Sequence, residues 1–432
     1  MPQGYAAGLR EAANVATVTS KPALSHLRDQ VGQGIDDFLR RQRPVLLGAS
    51  EELLPGLEAL SSLLAGGKRL RPAFCYWGWR GAGGADCPQI LAAAAALELL
   101  HAGALVHDDV MDGSDTRRGQ PSLHRQFADR HAARRWHGSA QAFGASAAIL
   151  LGDLLLSWTD QMYQASGLPP EALRCGQPVL DLMRTEVMAG QYLDLLGQAA
   201  GDGTVESALR VVEYKTAKYT IERPLQLGAA LAHGAARAGD TALPHDAALP
   251  YDAALAHDAA LPYDAALAHG GAFARDAALA GGGAFARDAA LADDTTSAIA
   301  AAYAAYGLPL GVAFQLRDDI LGLFGDPAQT GKPAGDDIRE GKRTVLLAIT
   351  GARASAAQAT IIGRQLGDPQ LDEAGVAEVR AVITGTGALA ECELMIDRHV
   401  AEALSALDAA PIADEAKTAL AELAVTATVR RG

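Results

Sequence analysis

Asp108 and Asp112 stand four residues apart in LLHAGALVHDDVMDGSDTRRG, within a stretch whose apolar residues recur at helical spacing. Residues four apart on a helix share a face, with Cβ atoms about 6 Å from one another. Two carboxylates held in this way repel each other unless a cation stands between them. Carboxylate oxygens are hard ligands, and such a pair suits Mg²⁺ that keeps some of its waters and bridges to phosphate. Leu105, Val106, Val110 and Met111 set apolar residues around the acids, which argues against a merely solvated helix end. His101 lies two helical turns before Asp108 on the same stripe. Arg117 and Arg118 follow shortly after, and paired guanidiniums suit bidentate contacts to phosphate.

A second acidic stretch reads AFQLRDDILGLFGDPAQTGKPAGDDIREGKRT. Gln315, Asp318 and Asp319 share one helical face by their i, i+3 and i+4 spacing. The loop that follows holds Gly325, Gly331, Gly335 and Gly341 with Lys332, Lys342 and Arg343, the composition of a lid over an anion. GGKRLRP places Lys68, Arg69 and Arg71 at a helix start after two glycines, where free backbone N–H groups also favour anions. EYKTAKYT adds Lys215 and Thr216. Any one of these basic sites, taken singly, is more often a surface charge. Together, two separated carboxylate motifs and four separated basic motifs describe a pocket for Mg²⁺ and more than one polyphosphate.

The elements that must position these groups are helices. From about residue 25 to Gly239, and again from Thr295 to the end, apolar residues recur at three- and four-residue steps, and alanine and leucine dominate. No alternating strands joined by hairpin turns appear, so an all-α fold is expected. Helix breaks are expected at Gly66-Gly67, around 81–84, 167–170 and 201–203, and across 325–341. Residues 1–24 read as a loose tail. Residues 245–292 are a repeat of four twelve-residue units built on DAALxx. A six-residue period gives no constant apolar stripe on a helix, so the repeat reads as a low-complexity insertion in a surface connection, and its removal is expected to be harmless.

The chain has 432 residues, with 37 Lys+Arg against 51 Asp+Glu and a net charge of −14, which argues against nucleic acid or an anionic membrane surface as partner. Its four cysteines are scattered with no CxxC pair, as suits a reducing cytoplasm. The N-terminus lacks a basic start followed by an apolar run, so no signal peptide is expected. The most apolar stretches, 90–106 and 142–158, carry Glu98, His101 and Asp153, and read as buried helices with no stable membrane insertion.

In order, GGKRLRP, HDDVMDGSDTRRG, YKT, FQLRDD and GKP…GKRT resemble the trans-prenyl diphosphate synthase (polyprenyl synthetase) family, most of all the bacterial geranylgeranyl diphosphate synthases. The resemblance covers residues 30–240 and 295–425, and the combination is far more specific than one DDxxD. It implies a single-domain all-α bundle around a deep central cavity, usually a homodimer. It implies Mg²⁺-dependent, head-to-tail condensation of an allylic diphosphate with isopentenyl diphosphate, using two to three Mg²⁺ ions. By position, Asp108 and Asp112 match the ligands of two ions and Asp318 the ligand of a third, with Asp109 and Asp319 behind them. Lys68, Arg71, His101 and Arg118 match the isopentenyl diphosphate site. Arg117, Lys215, Thr216, Gln315, Lys332 and Lys342 match the allylic diphosphate site. Asp108, Asp112, Asp318, Arg117, Lys215 and Lys332 are thus the expected catalytic set.

Gly103 and Ala104, one turn before the first acids, match positions where short-chain members place bulky aromatic residues as a floor. Small residues there point to a C20 product, geranylgeranyl diphosphate, over C15, with longer chains left open. One departure from the family pattern is Gly322, where many relatives have the last acid of a second DDxxD; Asp326 is a candidate substitute. Two rival functions are weighed. A class I terpene cyclase would share the first acidic motif, yet would not need a second diphosphate site. A non-catalytic subunit of a heteromeric synthase should have lost first-motif acids, yet Asp108, Asp109 and Asp112 are all present.

Overall fold

The computed structural model describes residues 21–201, 203–238, 294–325, 335–368 and 370–428. Residues 1–20 of the expected tail, the repeat 245–292, and 326–334 with Asp326 and Lys332 lie outside the described residues. Helix α1 (Lys21–Ala49) leads through a 3₁₀ turn (Glu51–Leu53) to α2 (Leu54–Ala65), α3 (Leu70–Gly81) and α4 (Pro88–Met111). A ribbon of two short strands, β1 (Thr116–Arg117) and β2 (Gln120–Pro121), precedes α5 (Leu123–Arg134), α6 (Ala140–Gln164) and α7 (Pro170–Ala200). Helix α8 (Val205–Val211) runs into a π-helical stretch, Val212–Glu222, and then α9 (Arg223–Arg237). The remainder is α10 (Asp294–Phe324), the short α11 (Asp336–Arg339), α12 (Val345–Arg353), α13 (Ala356–Gln365), α14 (Glu373–Gly385), α15 (Ala388–Ala409) and α16 (Asp414–Thr428).

The fold is all-α, as expected, and the helices end where the glycine breaks were placed. The ribbon is the departure. Its antiparallel pairs are Thr116 with Pro121 and Arg117 with Gln120, too short a pairing to leave an alternating signature. Arg118 and Gly119 at its tip both have positive φ, 54° and 74°, the backbone of a type I′ turn.

Helix α4 shows why these residues fold as they do. Pro88 fills its first turn after the extended Cys87, where a missing N–H costs nothing. A run of alanines follows, the best helix former. Ala93, Ala94, Ala95 and Ala96 are all buried, and their small side chains let neighbours come close. Helix α4 lies along α6 and against α3 and α1, while α10 lies along the π-helical stretch and α15, and α9 along α3 and α7. One hydrophobic cluster joins α1 to α7 with α9, and a second gathers the C-terminal half of α10, α12, α14 and the first turns of α15. Three helical stretches, α4, α6 and Thr296–Phe324 of α10, are long and apolar enough to cross a membrane by length and composition. The most apolar window of α4 is 67% buried in the fold, that of α6 only 33%.

Both acidic motifs fall at the C-terminal ends of their helices, Asp108 to Asp112 on α4 and Asp318 with Asp319 on α10. The helix dipole is negative there, so carboxylates are unfavourable unless cations meet them.

Candidate active site

A cavity of about 1100 Å³ opens where those two helix ends face each other. Asp108 and Asp318 both line it, as do Lys68, Arg71, His101, Arg117, Arg118, Lys215, Thr216, Gln315 and Lys342. The structure thus brings the separated sequence motifs to one place. Leu100, Ala104, Leu156, Val187, Met188 and Phe314 supply apolar wall.

Each carboxylate of the first motif has a different neighbour. Lys215 Nζ stands 3.1 Å from Asp108 Oδ1 and 2.7 Å from Asp194 Oδ2. Burial alone would push the Asp108 carboxyl up, but Lys215, Lys342 and Arg117 outweigh it and hold it below its ordinary value. Asp109 is buried and takes Arg117 Nε at 3.0 Å. Asp112 caps the helix, its side chain only 1% exposed, with Lys342 Nζ 2.9 Å from Oδ2. That lysine is near enough for an ion pair, yet neither buried Asp112 oxygen gains a well-directed hydrogen bond. Burial, then the charge of Asp108, raises the Asp112 carboxyl against the pull of Lys342. The two acids differ in placement: Asp108 lines the cavity, whereas Asp112 sits behind Lys342's ion pair. Two buried, under-satisfied carboxylate oxygens beside a second carboxylate are a donor set that fits a hard divalent cation. Among the described residues, no three acidic, imidazole or thiol groups converge enough to hold an ion alone.

Across the mouth, Thr216 Oγ1 donates to Gln315 Oε1 at 2.8 Å, and Gln315 Nε2 donates to Asp319 Oδ1 at 2.7 Å. Burial pushes the Asp319 carboxyl up to about 8, with Asp337 and Asp318 adding to it and the Gln315 bond opposing. Lys342 joins the two motifs: its Nζ is 2.6 Å from Glu340 Oε2 as well as beside Asp112. Ser114, just past the first motif, donates to the same Glu340 through its hydroxyl.

A second anion-suited region lies around His101. Arg71 Nη2 donates to Thr220 Oγ1 at 2.8 Å, and its guanidinium lies 4.2 Å over the Tyr219 ring. The I′ turn aims Arg118 back at the end of α2, where Nη1 donates to the carbonyls of Leu63 (2.6 Å) and Gly66 (3.0 Å). His101 is half-buried at the cavity wall, with its Nδ1 buried and unpartnered. Burial, then Arg71, Arg118, Arg117 and Arg69, holds the imidazole well below its usual pKa. A neutral ring under four positive charges, with an unused ring nitrogen, suits a bound anion. Arg69 differs from its neighbours in GGKRLRP, because its Nη1 makes a buried ion pair with Glu98 Oε2 at 2.8 Å.

One placement differs from expectation. Gly103 does not line the cavity; a Cβ there would meet Gly152 O and Leu156 Cδ2 at 3.2 Å, so it serves the close approach of α4 to α6. Sequence reasoning missed Asp194, Gln191, Glu98, Tyr219, Thr220, Asp336, Asp337 and Glu340. Asp194 left one trace, an acid four residues after Gly190 on the same helical face. A Cβ on Gly190 would lie 2.4 Å from Lys215 N, so the glycine lets the π-helical stretch bring Lys215 to Asp194. π-Helical turns often mark functional sites.

The sequence matches the polyprenyl synthetase family profile over residues 56–244 and 282–383. The chain belongs to the polyprenyl synthetase family. Among curated members, the geranylfarnesyl diphosphate synthase of Aeropyrum pernix is 28% identical over 402 residues, 92% of this chain and 98% of that protein. The geranylgeranyl diphosphate synthase of Mycobacterium tuberculosis is 30% identical over 294 residues, 67% of this chain and 61% of that one. Among solved structures, geranylgeranyl pyrophosphate synthase from Corynebacterium glutamicum, complexed with isoprenyl diphosphate and magnesium, superposes with a TM-score of 0.78. It is 36% identical, covering 94% of this chain and 99% of that one. As a polyprenyl synthetase the chain is a prenyltransferase that elongates trans-prenyl chains.

Proposed function

We propose that this polyprenyl synthetase condenses an allylic diphosphate with isopentenyl diphosphate head-to-tail, with Mg²⁺, to give geranylgeranyl diphosphate. The observation that carries the reading is the meeting of two acidic helix ends and two cationic regions at the mouth of one cavity with apolar walls. Asp108, Asp112 and Asp318 would hold Mg²⁺, which when bound neutralises the diphosphate and the charge it gains as a leaving group. Lys215, Arg117, Thr216, Gln315 and Lys342 bind and orient the allylic diphosphate, with Lys332 assigned to the same site on its sequence motif alone. Lys68, Arg71, Arg118 and the neutral His101 hold isopentenyl diphosphate. The allylic C–O bond breaks, the isopentenyl double bond attacks the allylic carbon, and a proton leaves to the released diphosphate. The cationic side chains stabilise the negative charge that develops on the departing oxygen. Leu100, Ala104 and Phe314 keep water from the allylic cation.

Ala104 leaves the first turn below the acids open, which supports C20 over C15. The family match skips 245–281, which supports the repeat as an insertion within one synthase domain. Helix α6 exposes Ile149 (45%) and Leu150 (69%), neither of which lines the cavity. Such apolar exposure supports a homodimer through this helix. The cysteines among the described residues are free thiols, in keeping with a reducing cytoplasm.

The test uses the purified chain alone with Mg²⁺, labelled isopentenyl diphosphate, and C5, C10 or C15 allylic diphosphates. Extension to a C20 diphosphate is expected. No product with any primer would reject catalysis by this chain by itself, and a cyclised hydrocarbon would point to a cyclase.

A further inference from the structure

We propose that Thr220 is a positioning residue for the isopentenyl diphosphate site: its hydroxyl fixes the Arg71 guanidinium in the pose that meets that diphosphate. The inference rests on the two-diphosphate reading above. Arg71 Nη2 donates to Thr220 Oγ1 at 2.8 Å, and the guanidinium lies 4.2 Å over the Tyr219 ring. Stacking on an aromatic face holds a guanidinium against the ring but leaves it free to turn in its own plane. A directed hydrogen bond from one Nη removes that freedom. Arg71 Nε is buried without a partner, so the group keeps a donor unspent for an anion. The Tyr219 ring also lies 6.3 Å from that of His101. Arg71, His101, Tyr219 and Thr220 line the same cavity.

The Thr220 hydroxyl is used differently from those of other buried helical threonines. Thr159, Thr350 and Thr428 donate to the carbonyl four residues back, the usual local bond of a threonine within a helix. Thr220 is 1% exposed, and its hydroxyl accepts from an arginine 149 residues earlier in the chain. The π-helical stretch Val212–Glu222 makes this reach possible. A π-turn closes i→i+5 bonds, one residue wider than an α-turn, so Lys215 and Thr220 stand one such turn apart and both face the cavity. On the allylic side of the turn Thr216 Oγ1 donates to Gln315, and on the other side Thr220 takes Arg71. One rigid turn thus serves both cationic regions, and Thr220 is its contact with the second.

The test compares Thr220→Val, which replaces the hydroxyl with a methyl, Thr220→Ala, which removes it without adding bulk, and Thr220→Ser, which keeps it. Far-UV circular dichroism and thermal unfolding verify folding. Steady-state kinetics then give KM for isopentenyl diphosphate and for the allylic diphosphate, each with the other saturating. Thr220→Val and Thr220→Ala are expected to raise KM for isopentenyl diphosphate about tenfold, the scale of losing a hydrogen bond to a charged group, while KM for the allylic diphosphate holds. Thr220→Ser is expected to recover most of that loss. An unaltered KM for isopentenyl diphosphate in folded Thr220→Val and Thr220→Ala overturns the inference. So does an equal rise in both KM values, which marks loosening of the whole turn, or a Thr220→Ser protein as weak as Thr220→Ala. An unaltered protein that neither turns over nor binds isopentenyl diphosphate by calorimetry instead overturns the reading beneath it.

Discussion

Ala104→Phe and Gly103→Phe sit side by side on α4 and should behave oppositely. Ala104 lines the cavity and Gly103 does not. Ala104 lies one turn below Asp108, about 6 Å along the axis at 1.5 Å per residue, and Leu100 lies one turn deeper. A phenyl ring at 104 fills that intervening turn and raises the floor by about 5.4 Å, roughly one isoprene unit. The main product should shorten from C20 to C15. The assay supplies geranyl diphosphate, isopentenyl diphosphate and Mg²⁺, then resolves the dephosphorylated alcohols by chromatography. Phenylalanine at 103 instead enters the contact with α6, where Gly152 O, Leu156 Cδ2 and Leu155 Cβ already lie within 3.3 Å of a bare Cβ. Overpacking of this kind costs about 1–3 kcal/mol or more, so the melting temperature should fall while the product of the folded fraction keeps its length. An unchanged product distribution from a folded Ala104→Phe protein would refute the reasoning. A shortened product from Gly103→Phe would show that the helix face has been assigned wrongly.

Arg69→Met leaves Glu98 buried without its partner and should destabilise the protein by about 3–5 kcal/mol, with Arg69→Met/Glu98→Leu recovering most of it in thermal unfolding. His101 is held neutral in the fold, with its pKa well below 6.5. Below that pH the unfolded chain binds one proton more than the native protein, so stability falls as pH drops. His101→Gln should therefore lose less melting temperature than the parent between about pH 7 and pH 5, and equal losses would contradict the placement. Leu150→Glu puts a charge on the exposed apolar face of α6 and should convert a dimer to monomers by light scattering, with the helical content unchanged.

What was legible in the sequence was what chemistry dictates locally. Acids at i and i+4, guanidiniums in pairs and lysines in glycine loops are costly where they stand, and the C-terminal helix ends make the acids costlier still. Local violations of this kind mark sites because nothing in folding alone would keep them. The all-α fold was legible for a similar reason, since the alanine-rich periodicity and glycine breaks are properties of neighbouring residues. What stayed hidden depends on contacts between distant segments. Gly103 and Ala104 are adjacent, and only the position of α6 decides that one meets a helix and the other a cavity. Asp194 is one acid among several on α7 until Gly190 admits the π-helical stretch and Lys215 arrives beside it. Gly322 follows the same logic: along the chain it is a missing acid, and only the folded helix shows that a Cβ there would lie 2.7 Å from Asp337 Oδ2.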